Sequence, residues 1–142
     1  MDKKELFHNL IEFIASVHRV KHEITKHVKI EEVTPVQYSI LEYITVNQPV
    51  TPSQISDCQH MSMPNTSREL KKLVENKLIE KIGDTEDRRK QYIQLSTHGE
   101  IMMNDAFNRI ESRFLSRIQN ASKGELEEIN RAIDLLQTKL FY

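Results

Sequence analysis

Residues 51–96 read TPSQISDCQHMSMPNTSRELKKLVENKLIEKIGDTEDRRKQYIQLS, and this stretch decides the fold. Thr51-Pro52 pairs a capping hydroxyl with a proline suited to the first helical position, so a short helix starts there with Ile55 facing inward. His60-Met61-Ser62 is a break, and Ser62 caps a further helix that carries Pro64 in its first turn. Leu70, Leu73 and Val74 supply that helix's buried face, while Arg68, Lys71 and Lys72 lie elsewhere on its surface. After Asn76 the periodicity changes. Leu78–Ile82 reads as a strand, Gly83–Asp87 as turn chemistry, and Gln91–Leu95 alternates as a second strand. The two strands make a β-hairpin with Arg88-Arg89-Lys90 at its tip, which is longer than a two-residue turn.

Upstream, Leu6, Leu10, Phe13/Ile14, Val17, Ile24 and Val28 recur at helical spacings and predict a helix from about Lys3 to Val28. Thr34-Pro35 opens a second helix, which Asn47-Gln48-Pro49 ends. Downstream, Ser96 or Thr97 caps a fifth helix running to about Asn120, with Ile101, Ala106, Phe107, Ile110, Phe114 and Ile118 on its apolar face. Ser122, followed by Glu125, opens the last helix, where Leu126, Ile129, Ile133, Leu136 and Leu140 form a heptad-like seam. The expected fold is mainly α, a single domain over 1–142. A winged helix-turn-helix occupies 34–96, and helical dimerisation regions lie at 1–30 and 97–142.

Composition narrows the function. A formal net charge of −1 over 142 residues places any basic surface locally. The one cysteine, Cys58, excludes an internal disulfide and a paired-cysteine metal site, and reads as a buried, inert thiol. No run is long and apolar enough for a membrane span, and the charged start from Met1 to Glu5 lacks a signal peptide's apolar run, so a cytoplasmic protein is expected. Gly-rich phosphate loops, nucleophile elbows and paired carboxylates do not stand out, so neither an enzyme nor a cofactor is expected.

Two helices across a tight break place the second one for a DNA major groove, with its N-terminal residues at the base edges. Here these are Ser62, Met63, Pro64, Asn65, Thr66, Ser67 and Arg68. Asn and Arg can pair bidentately with adenine and guanine, and Ser, Thr and Lys (here Lys71 and Lys72) suit phosphates. Arg88, Arg89 and Lys90 concentrate positive charge on a protrusion that suits the minor groove. Asp87 is expected to order this wing and brace an arginine, with the neighbouring carboxylates facing the protein.

Three stretches together resemble the MarR-type regulators: Leu73–Ile79, Asp84–Lys90 and Gln94–Gly99. The family pattern is a helix ending Leu-x-x-x-Gly-Leu-Ile, a wing Asp-Pro-x-Asp-Arg-Arg, and Leu-Thr-x-x-Gly into the next helix. Lys77 stands where the family usually has Gly, so the helix end uses Asn76 or a strained residue; Thr85 replaces Pro and should loosen the wing. The resemblance implies a homodimer reading a pseudo-palindrome in double-stranded DNA, released by a small aromatic or anionic effector. The terminal apolar stripes, which lack an obvious partner in one small monomer, agree with dimerisation. Candidate effector contacts are His18, His22, Tyr38 and Tyr43. His18 and His22, four apart, also have a spacing that can hold zinc, though no nearby Cys or carboxylate completes the set. A metal-responsive regulator of the same fold is thus one alternative. The other is a winged helix that binds protein, which would show an exposed apolar patch at the wing.

Overall fold

Each helix begins on a side-chain oxygen that the sequence supplies at the right place. In the computed structural model, which describes residues 1–28, 30, 32–84 and 86–142, Asp2 accepts from the Glu5 N–H and starts α1 (Lys3–Thr25). Thr34 and Gln37 form a reciprocal capping box for α2 (Pro35–Asn47), and Thr51 and Gln54 do the same for α3 (Pro52–Gln59). Ser62 caps α4 (Met63–Glu75), Ser96 accepts from the Gly99 N–H at the start of α5 (Thr97–Arg117), and Ser122 caps α6 (Lys123–Lys139). Between α4 and α5, β1 (Ile79–Gly83) pairs antiparallel with β2 (Gln91–Leu95), in register from Ile79 opposite Leu95 to Gly83 opposite Gln91. Val50 adds an isolated bridge to Ile93 that the sequence reading did not foresee.

Two helix ends set the approach to α4. His60 adopts φ 53°, ψ 42°, and the Met61 N–H reaches back to the Ser56 carbonyl. Lys77 adopts φ 61°, with the Leu78 N–H on the Leu73 carbonyl and its own N–H on Val74. Both are left-handed corners that satisfy the last helical carbonyls. At the second, the strained residue is therefore Lys77, where the family pattern has glycine.

The core joins α2, α3, α4, the hairpin base and α5: Ile40, Leu41, Ile44, Val50, Ile55, Leu70, Leu73, Leu78, Ile79, Ile93, Leu95 and Met103. The chain forms two compact units, Met1–Ile110 and Glu111–Tyr142, and this core lies in the first. Several expectations change. Cys58 is exposed, because α3 turns Ile55 and Ser56 inward and leaves Cys58 on the outer side. Val74 and Ile101 are exposed; α5 instead buries Gly99, Met103 and Ala106. The apolar stripe of α1 exists, but no α1 residue is buried. Thr85 lies outside the described residues.

Candidate nucleic-acid interface

The buried side of α4 fixes what its outer side offers. Thr66, Leu70 and Leu73 face the core, so Pro64, Asn65, Arg68, Lys71 and Lys72 fall on the exposed side, with Ser67 on its flank. Thr66 leaves the contact set: it is fully buried and its hydroxyl donates to the Ser62 carbonyl at 2.9 Å. The Ser62 Oγ accepts from the Asn65 N–H at 3.2 Å, so this side chain holds the leading turn in place. Met63 is 44% exposed beside it. The Arg68 Nη2 donates to the Asn65 Oδ1 one turn back.

The far side of α4 is anchored by a residue absent from the sequence expectation. Gln37, only 5% exposed, accepts from the Thr34 N–H and donates to the Glu69 Oε2 at 3.0 Å. Glu69 also lies 3.6 Å from the Lys72 ammonium. One amide thus ties the start of α2 to the middle of α4. A Gln three residues after a Thr-Pro cap was the available signal, but its second partner is remote in sequence.

The wing turn is held by two carboxylates. Asp84 Oδ1 accepts from the Glu86 N–H and Asp87 Oδ1 from the Arg89 N–H, while the Asp84 N–H donates to the Lys90 carbonyl and the Lys90 N–H to the Asp87 carbonyl. Asp84 and Asp87 are half-buried and spent on this turn; Glu86 is exposed. Arg88, Arg89 and Lys90 all project into solvent. The Arg89 side chain is 96% exposed despite lying 3.8 Å from Asp87, so this ion pair leaves its donors free and contributes little. At the wing's base, Gly99 fits against the Leu78 carbonyl, where a Cβ would come within 2.0 Å of the oxygen.

A cavity of about 490 Å³ lies between the end of α1 and the start of α2, lined by Thr25, Val28, Ile30, Val33, Thr34, Pro35 and Tyr38. Of the four candidate effector contacts only Tyr38 lines it; His18, His22 and Tyr43 do not. The Tyr38 hydroxyl is buried without a hydrogen-bond partner among the described residues. Burial first, and the nearby Glu42 carboxylate second, raise its pKa above the ordinary tyrosine value. Glu42 itself pairs with Lys21 of α1 at 3.1 Å. No group of three or more His, Cys, Asp or Glu among the described residues is placed to hold a metal ion. None of the described helices is long and apolar enough to cross a membrane.

The MarR family model matches residues 32–90, the segment from the α2 cap through the wing tip. No curated protein matches the chain. Among solved structures, a MarR family protein from Bacillus stearothermophilus is similar at 17% identity and a TM-score of 0.73, covering 100% of this chain and 99% of that one. S. aureus MepR bound to ethidium bromide is 20% identical, TM-score 0.64, covering 99% and 97%. A MepR variant bound to an oligodeoxyribonucleotide is 20% identical, TM-score 0.58, covering 94% and 97%. The fold of this chain is therefore the mainly α winged helix of the MarR regulators.

Proposed function

We propose that this chain, a MarR-type winged helix by its match over residues 32–90, is a cytoplasmic, homodimeric transcription regulator, a repressor that binds a pseudo-palindromic operator and releases it when a small molecule binds. The observation that carries the reading is that one compact unit presents both a donor-rich leading turn on α4 and an exposed cationic wing. The first suits base edges in the major groove, and the second suits the negative potential of the minor groove. Ser62 and Asp87 position these surfaces, while Met63, Pro64, Asn65, Ser67, Arg68, Lys71, Lys72, Arg88, Arg89 and Lys90 make up the contact set. The oligodeoxyribonucleotide bound by the MepR variant supports the same reading by fold.

Dimerisation is supported by the apolar side chains standing exposed on α1 and on α6, which a second copy would cover. Two recognition helices about one duplex turn apart, ~34 Å, would then meet two half-sites. The largely apolar cavity beside Tyr38 suits a small aromatic effector, and ethidium in MepR is a precedent on the same fold.

The test is DNA binding across a salt series. Arg89→Ala weakens binding to many sequences alike and reduces the slope of log affinity against log salt by about one. An unchanged slope removes the wing from the mechanism.

A further inference from the structure

Resting on the reading of α4 as the groove-reading helix, we propose that Asn65 and Arg68 act as one donor-only unit that selects guanine over adenine at the base they face. The two residues are one helical turn apart on the exposed side of α4, and Arg68 Nη2 donates to Asn65 Oδ1. A guanidinium has donors and no acceptor, so the asparagine must turn its oxygen to the arginine and its NH2 group away. What remains for the groove is the Asn65 NH2 and the unused guanidinium N–H groups.

That remainder decides the base. An unencumbered asparagine reads adenine through its oxygen on the N6 amine and its NH2 on N7. Here the adenine amine would have to share an oxygen already engaged and approach a full positive charge. Guanine offers O6 and N7, two acceptors, to the same edge. Nearby groups do not restore an acceptor in the same place. Ser62 Oγ is taken by the Asn65 N–H, Thr66 is buried, and Glu69 is turned to Gln37 and Lys72. The Ser67 hydroxyl lies about 100° around the helix from Arg68.

The test recovers and sequences the duplexes that the full-length protein selects from a random library, for wild type, Arg68→Ala and Asn65→Ala. The wild type enriches guanine over adenine roughly tenfold at one position of each half-site. Asn65→Ala leaves the guanidinium in place and keeps guanine there, with a weaker preference. Arg68→Ala frees the amide oxygen and switches that position to adenine. Adenine selected by the wild type overturns the proposal while the regulator reading stands. So does an Arg68→Ala protein that loses guanine without gaining adenine. A library with nothing enriched overturns both. Unfolding midpoints close to wild type, as expected at exposed positions, show that the variants read as folded proteins.

Discussion

Lys77 carries a measurable strain. A residue with a Cβ in the left-handed region costs about 1–2 kcal/mol relative to its usual conformations. Glycine relieves this but loses about 0.4–1 kcal/mol through the wider freedom of its unfolded chain. Lys77→Gly is therefore expected to stabilise the protein by roughly 0.5–1 kcal/mol, read as a shift in the urea midpoint. This corner was legible in the sequence because the family pattern marks the position. Cys58 was not: on a helix of eight residues a rotation of one position exchanges inside for outside, and only Ile55 fixes the phase. Being exposed, Cys58 should react with a thiol reagent in native protein about as fast as in denatured protein. Labelling that required denaturant would return it to the interior.

At the scale of elements, the caps and the hairpin were readable because their signals are local: Thr-Pro pairs, a serine before an apolar run, and alternation around a charged turn. The faces of α1 and α5 were harder. Periodicity says that a helix has an apolar stripe, but not what covers it or how far along it the core extends. Thus no residue of α1 is fully buried, and α5 buries Met103 rather than Ile101. The joint between α2 and α4 depends on Gln37, which serves two partners at once. Gln37→Leu should cost about 1–2 kcal/mol, because the Thr34 N–H and the Glu69 carboxylate both lose a bond. Tyr38, in the same helix, has a pH signature. Its folded-state pKa is raised, so its contribution to stability is complete below the unfolded value of about 10 and is lost as pH rises through the folded value. Urea midpoints measured above pH 10 should fall more for wild type than for Tyr38→Phe. At pH 7 the same substitution should change stability by less than about 1 kcal/mol, since the hydroxyl has no hydrogen-bond partner among the described residues.

At the scale of the molecule, the winged helix was visible from one stretch of sequence, whereas the proposed self-association rests on apolar surfaces that a single chain leaves exposed. Sedimentation at micromolar concentration is expected to give twice the 16.7 kDa chain mass. Phe13→Glu on α1 and Ile133→Glu on α6, both exposed in the single chain, should each shift the population toward single chains, because a charge would enter the apolar face that the proposed second copy covers. A wild type that sediments as one chain would remove the two-half-site reading. The proposed recognition helix α4 lies between two left-handed backbone corners, at His60 and Lys77, and neither corner carries a residue of the proposed contact set. If α4 reads DNA as proposed, thermal robustness and sequence choice become separable traits: relaxing either corner with glycine is expected to harden the helix frame while leaving base preference unchanged.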